Sequence, residues 1–294
     1  MPELPEAETV RRQLEPQIVG ARILQTWARL PRITQPSIAE FVATTMGQRI
    51  LEARRRGKQL YFPLENGASL LVHLGMTGRL HVEATSVAET GIPALDEQHL
   101  HKHIHAVLRL DNGRQLIFTD PRTFGALGVA RELAFLQKMG PEPLDEDFDE
   151  RALAKKLATR STKIKAAILD QTLVAGLGNI YADEVCFLAG VHPAQRACDV
   201  PLPKLRRLVA HMRPVLERAI AARGATLKDK GYQDTFGQYG EYYPHAYGNT
   251  GLPCANCGAL IQRGVLGPGR SARSYHFCPK CQKLKTSRIA SKHG

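Results

Sequence analysis

Two C-x-x-C pairs, Cys254/Cys257 and Cys278/Cys281, constrain this chain more than any other feature, because twenty residues separate them. That spacing fits a zinc ribbon, in which two tight knuckles present four thiolates tetrahedrally. Such a site is closed, so one structural Zn2+ is expected, standing in for a core too small to fold alone. The intervening segment must then be a hairpin carrying Arg263, Arg270 and Arg273. Pinned at its base, it can hold an arginine rigidly against a nucleic acid. Cys186 and Cys198 stand apart and read as packed thiols. The opening MPELPEAETV has neither a basic nor an apolar leader region, which predicts a cytoplasmic chain with reduced thiols. No run of about 18 apolar residues exists, so no membrane partner is expected.

Charge points to a phosphate polymer. Lys and Arg number 40 against 28 Asp and Glu, a formal net charge of +12. Each phosphate neutralised by such a surface releases counterions and adds affinity. Solubility alone would also favour net charge, but the cations are clustered. Between Cys254 and Gly294 there are eight Lys and Arg and no acid, and a second knot reads Arg54-Arg55-Arg56-Gly57-Lys58.

Periodicity places these features on elements. Ala7, Val10, Leu14 and Ile18 share one helix face, with Pro5 suited to the first turn. Leu60 to Leu64 and Ser69 to Leu74 flank Glu65-Asn66-Gly67, a hairpin signal. Ile104 to Leu110 and Gln115 to Thr119 flank Asp111-Asn112-Gly113, another. In the first of these strands Ile104, Ala106, Leu108 and Leu110 alternate with His105, Val107 and Arg109, which predicts a sheet packed mainly on one face. Residues 83 to 101 read as a polar loop. Near Gly140-Pro141-Glu142-Pro143 the character changes, and a helix is expected from Arg151 to Thr159. Leu205, Leu208, Met212, Val215 and Ala219 form one long amphipathic stripe ending at Gly224. Residues 225 to 252 read as irregular, and Lys285 onward as a basic tail.

Two further motifs carry chemistry. Gly176-Leu177-Gly178-Asn179-Ile180-Tyr181-Ala182-Asp183-Glu184 resembles a phosphate-binding helix start, although an ordinary N-cap explains it as well. At the N-terminus, removal of Met1 would leave Pro2 a free secondary amine. Such an amine attacks a carbonyl-level carbon and forms an iminium, an electron sink for later elimination. Glu3 and Glu6 lie beside it, where one carboxyl could move protons, although acids are commonplace at helix N-termini.

Together these runs resemble the formamidopyrimidine-DNA glycosylases. The resemblance is carried by residues 1 to 9, by His73-Leu74-Gly75-Met76-Thr77-Gly78-Arg79, and by Lys102-His103-x-His105. Asp120-Pro121-Arg122-x-Phe124-Gly125, Ile164-Lys165, Leu169-Asp170-Gln171, the 176 to 184 run and the zinc ribbon continue it in order. Two departures stand out: Ala7 is smaller than the family's usual aliphatic residue, and 225 to 247 differs from its usual loop. The resemblance implies an α+β multidomain fold with two domains flanking a DNA cleft. Residues 1–135 would form an N-terminal β-sandwich with the N-terminal helix, and 136–150 a linker. A helix-two-turn-helix domain would span 151–245, a zinc-ribbon hairpin 246–284 and a basic tail 285–294.

The implied activity is excision of oxidised purines (8-oxoguanine, formamidopyrimidines) from double-stranded DNA, followed by β,δ-elimination at the abasic site. A monomer working at the bacterial nucleoid is expected. Pro2 resembles the Schiff-base nucleophile, Glu3 the general acid/base and Glu6 a supporting carboxylate. Lys58 and Arg273 resemble further catalytic, phosphate-contacting positions. His103, Lys165 and Asn179 resemble backbone clamps. Met76, Arg122 and Phe124 resemble the set inserted into the duplex after base extrusion, where apolar groups refill the stack and Arg122 meets the orphaned base. An endonuclease VIII-like enzyme for oxidised pyrimidines is the nearest alternative, disfavoured by Leu4 and the Met76, Arg122, Phe124 set. A non-catalytic zinc protein that binds nucleic acid would explain the charge and the ribbon, but not Pro2-Glu3.

Overall fold

The computed structural model describes residues 2–85, 100–227, 232–269 and 272–285. Most of the loop expected over 83–101, together with Arg270 and the tail from 286, lies outside the described residues. The chain forms two compact units, Met1–Lys138 with Ala219–Tyr242, and Met139–Arg218 with Tyr243–Gly294.

The first unit begins with α1 (Leu4–Ile18), whose expected face of Ala7, Val10, Leu14 and Ile18 is buried. Then follow β1 (Ile23–Ala28), β2 (Thr34–Gln35), α2 (Ile38–Thr45), β3 (Arg54–Arg56), β4 (Gln59–Pro63), β5 (Ser69–His73) and β6 (Arg79–Ala84). The run closes with β7 (Ile104–Leu110), β8 (Arg114–Thr119), β9 (Ala126–Ala130) and the short α3 (Ala134–Gln137). Both predicted hairpins form, β4 with β5 and β7 with β8, each antiparallel. The strands make two sheets, ordered β1-β7-β8-β6 and β2-β9-β5-β4-β3. Leu60, Phe62, Leu70 and Val72 of one sheet, Leu80, Leu108, Leu116 and Phe118 of the other, and the α1 face share one core. This is the sandwich with its helix that the resemblance implies.

The other face of the four-stranded sheet is less open than alternation predicts. Val107 and Ile117 are buried there. They sit in a row across the strands with Trp27 and His81, and such cross-strand neighbours shield one another.

The segment Ala219–Tyr242 groups with the first unit rather than with the helical region of 151–245. Polar contacts hold it there. The backbone N–H of Ala225 donates to Glu6 Oε1 at 2.8 Å, Gln13 Nε2 donates to Asp234 Oδ2 at 2.8 Å, and Arg79 Nε donates to the Asp234 carbonyl at 3.1 Å. Gly224 has φ +89, and a Cβ on it would lie 2.7 Å from Glu6 Cγ. The preceding helix ends at Ala221, with Arg223 (φ +57) rather than a glycine first in the left-handed region, and Gly224 lets the backbone approach α1.

The second unit is helical: α4 (Glu150–Ala158), α5 (Ile164–Leu169), α6 (Asn179–Ala189), α7 (Leu202–Ala210) and α8 (Met212–Ala221). Asp149 caps α4 by accepting from Ala152 N–H at 2.9 Å. The single amphipathic stripe predicted over 205–219 is two helices, broken at His211. Pro214 is the physical cause. It has no N–H to donate, and its ring crowds the carbonyl four residues back, at Ala210. The hairpin of β10 (Gln262–Leu266) and β11 (Arg273–Phe277) closes the described fold. Among the described residues, no helix is long and apolar enough to cross a membrane.

Candidate active site

In the first unit the N-terminus is built around Glu6. Pro2, Glu3 and Glu6 are buried. Glu3 is the N-cap of α1 in a reciprocal capping box: its side chain accepts from Glu6 N–H, and Glu6 Oε2 accepts from Glu3 N–H at 2.7 Å. With Oε1 on Ala225, each oxygen of the Glu6 carboxylate has a backbone donor. Pro2 is therefore held at the mouth of a helix whose first turn carries two carboxyl groups.

Lys58 lies in the two-residue turn between β3 and β4. Across the hairpin, His73 pairs with Gln59. Burial, reinforced by the charge of Lys58, pushes the His73 ring below its ordinary pKa, so it is neutral at pH 7. Its Nδ1 accepts from Gly75 N–H at 3.1 Å, leaving the proton on Nε2. Sequence reasoning assigns His73 no role, although it opens the motif that carries Met76.

Two loops carry the expected wedge. Met76 is half-buried and Arg122 exposed, while Phe124 is 57% exposed. The Arg122 guanidinium lies 5.1 Å from the Phe124 ring centroid. Asp120 joins the loops. Its Oδ1 accepts from Thr77 Oγ1 at 2.6 Å and Arg122 N–H at 3.2 Å, and its Oδ2 accepts from Gly125 N–H at 2.7 Å. A Cβ on Gly75 would stand 2.4 Å from the Phe124 and Gly125 backbones, so the loops touch main chain to main chain. His103 precedes β7 and is half-buried. Partial burial and the charges of His101, Lys102, His105 and Arg29 push its ring below the ordinary range. That cluster is already electropositive.

In the second unit, Asn179 is the first residue of α6 and Gly178 is the N-cap. The Asn179 side chain does not cap. Its Nδ2 donates to Tyr247 Oη at 3.3 Å and to Ser274 Oγ at 3.4 Å. Arg273 is exposed at the start of β11, next to Ser274.

Lys165, which the resemblance reads as a backbone clamp, is fully buried. Its ammonium donates to Asp183 Oδ1 and the Ser274 carbonyl, each at 2.7 Å, and to the Asn179 carbonyl at 3.2 Å. An ammonium has three protons, so these internal acceptors leave none for a phosphate. Asp183 Oδ2 in turn accepts from His276 N–H at 2.8 Å. Sequence reasoning misses this network because a lysine in a basic chain reads as surface charge.

Cys254, Cys257, Cys278 and Cys281 converge, their sulfur atoms all lying within 4.8 Å of one another. Apart from these thiols, the buried apolar residues clustered at this module, among the described residues, are Phe187, Ala246 and Ile261. Gln282 ties it down. Its Oε1 accepts from Cys278 N–H, and its Nε2 donates to the Val191 carbonyl, both at 2.8 Å.

The chain is similar to known proteins over nearly its whole length. The formamidopyrimidine-DNA glycosylase N-terminal domain family matches residues 1–127, and the formamidopyrimidine-DNA glycosylase H2TH domain family matches residues 139–231. Formamidopyrimidine-DNA glycosylase from Paracoccus denitrificans is 42% identical over 291 residues, covering 96% of this chain and 100% of that relative. The Herpetosiphon aurantiacus protein of the same name is 40% identical with the same coverage. Among solved structures, the MutM (Fpg) protein from Thermus thermophilus superposes with a TM-score of 0.82 at 39% identity, covering 97% of this chain and 100% of that one. Lactococcus lactis Fpg in complex with DNA containing an abasic site gives 0.84 at 36% identity, covering 96% and 100%.

Lys165→Met should leave Asp183 buried with its ion-pair partner gone. The expected cost is about 3–5 kcal/mol, read as a lower urea midpoint, and an unchanged midpoint would refute the buried network.

Proposed function

The chain belongs to the formamidopyrimidine-DNA glycosylase family, and from that membership we propose how its own residues excise oxidised purines from duplex DNA and cleave the abasic site. The observation that carries the proposal is the N-terminal arrangement, Pro2 and Glu3 at the start of α1 with Glu6 bonded to Glu3 N–H and Ala225 N–H. With Met1 removed, the Pro2 nitrogen is a secondary amine. It attacks C1′ of the damaged nucleotide as the bond to the base breaks; the base leaves with a proton and the amine gives up its own. The C1′–O4′ bond then opens with O4′ taking a proton, which leaves an iminium at C1′. The resulting iminium withdraws electrons, so loss of a C2′ proton expels the 3′ phosphate, and a further elimination expels the 5′ phosphate. Glu3 moves protons to and from the sugar. Glu6 shapes the turn that presents both groups.

Lys58 and Arg273 contact the phosphates flanking the lesion. His103 and Asn179 grip the backbone. Lys165 acts one step removed, by fixing the Asn179 and Ser274 backbones rather than by touching DNA. Met76, Arg122 and Phe124 fill the space left by the extruded base. Removing a base from the stack costs a few kcal/mol, and an exposed phenyl ring beside a guanidinium suits that task. The protein works as a monomer in the cytoplasm.

The four thiols fit one structural Zn2+. A tetrahedron with Zn–S bonds of about 2.3 Å has sulfur–sulfur edges of about 3.8 Å, compatible with a cluster whose sulfurs all lie within 4.8 Å. Bound there, the metal supplies cross-linking in place of a core. Cys278→Ser should drop zinc below one per chain and weaken duplex binding. Full affinity in a metal-free variant would refute the structural assignment.

Phe124→Ala should slow excision of a stacked 8-oxoguanine while leaving cleavage of a pre-formed abasic site largely intact, because an abasic site has no base to extrude. Equal loss on both substrates would mean that Phe124 merely supports the fold.

The nucleophile is tested by an uncleaved N-terminal extension, which turns the Pro2 amine into a non-nucleophilic amide. The expected protein binds damaged duplex but gives no borohydride-trapped adduct and no strand cleavage. Mass spectrometry of the wild-type adduct should place the modification on Pro2, and an adduct on Lys58 would overturn the assignment.

A further inference from the structure

Glu8 is a buried acid that the proposed chemistry does not use. It lies on α1, a little more than one helical turn beyond Glu3, and is 7% exposed. An isolated buried carboxylate costs several kcal/mol, so its surroundings must repay that cost. Three arginines do. Arg11 Nη2 donates to Glu8 Oε1 at 3.0 Å, Arg12 Nε to the same oxygen at 2.7 Å, and Arg55 Nε to Oε2 at 3.0 Å. Burial alone would raise the Glu8 pKa. Bonds from Arg11, the charge of Arg55 and bonds from Arg12 and Arg55 together outweigh it and bring the carboxyl down to about 2. Glu8 is therefore ionised at any pH at which the folded protein works.

The three partners are not equivalent. Arg12 is largely exposed, whereas the Arg55 side chain is 8% exposed. Arg55 is also bidirectional. While Nε faces Glu8, its Nη1 donates to the Gly57 carbonyl at 2.9 Å. Gly57 and Lys58 are the whole turn between β3 and β4. Arg11 adds a second hold at the base of this hairpin, its Nη1 donating to the Ala53 carbonyl at 3.2 Å. One carboxylate on α1 thus grips the hairpin through Arg55 at its tip and Arg11 at its root.

We infer that Glu8 is a positioning residue: acting through Arg55, it holds the Gly57–Lys58 turn in register with the end of α1 that carries Pro2 and Glu3. The inference rests on the reading of Lys58 as a phosphate-contacting group. A planar guanidinium suits the task because it can meet a carboxylate and a carbonyl at once in fixed directions, which a lysine cannot. The advantage is geometric, because small misplacements of a reacting group are costly in rate.

The test is a double-mutant cycle in the full-length protein, read as single-turnover cleavage of a duplex with an abasic site, with duplex affinity measured in parallel. Glu8→Gln should slow cleavage about tenfold while affinity changes less than about twofold, a loss confined to the reacting geometry. Arg55→Lys keeps the charge but not the fork, so it should reproduce the slow rate; it serves as the second variant should Glu8→Gln fold poorly. Combined with Lys58→Ala, either change should add nothing to the loss from Lys58→Ala alone, because both act through the same side chain. Additive losses would overturn the inference, as would wild-type rates in both Glu8→Gln and Arg55→Lys. Wild-type cleavage by Lys58→Ala would instead remove the role of Lys58, and the inference with it.

Discussion

A single buried carboxylate sets the geometry on which the proposed chemistry depends. Glu6 joins the Glu3 N–H, on the residue that follows Pro2, to the Ala225 N–H, which comes from a segment more than two hundred positions away in sequence. Both bonds are charge-assisted and shielded from water, so each is stronger than a neutral equivalent. The consequence is that the start of α1, which in an isolated helix would fray, becomes a fixed platform. A nucleophile placed there loses little entropy on reaching the reacting geometry.

The same device recurs. Asp120 draws two loops around one carboxylate, setting where Met76, Arg122 and Phe124 project. The Lys165–Asp183 pair joins α5 to α6, and through Ser274 and His276 to β11. Buried pairs of this kind add little net stability compared with apolar packing. Their value here is directional: each specifies where a backbone segment lies, and the exposed residues beside it inherit that position. The side chains read as touching DNA are therefore mostly half-buried or exposed, and the charges that aim them are buried.

Much of this fold is legible in the sequence because its signals are local. Asn66-Gly67 and Asn112-Gly113 mark hairpins through turn chemistry, the α1 face follows helical spacing, and the cysteine pairs follow metal geometry. What is not legible is nonlocal. Nothing near Ala219–Tyr242 announces that it packs with residues from the chain's beginning, since the Gln13–Asp234 bond spans 221 positions. Lys165 looks like surface charge because burial is decided by partners distant in sequence. The break between α7 and α8 is different. Pro214 is present as a signal, but the apolar stripe runs through it undisturbed, because periodicity records side chains and a proline acts on the backbone.

These cases share a physical cause. Motifs preserve residues whose chemistry must be of one type, such as an amine, a thiolate or an arginine, and such residues can be found one at a time. Orientation is the property of a pair or a network, and no single residue encodes it. Asn179 illustrates the difference. Its place at the start of α6 is readable, yet its amide points where Tyr247 and Ser274 direct it rather than capping its own helix. Those two hydroxyls come from an irregular segment and from the hairpin beside the four thiols. If the hairpin shifts, Ser274 moves with it, and so do Arg273 and the carbonyl that holds Lys165. Whatever fixes the four-thiol module therefore also fixes where Asn179 and Arg273 lie, through hydrogen bonds that only the folded chain brings together.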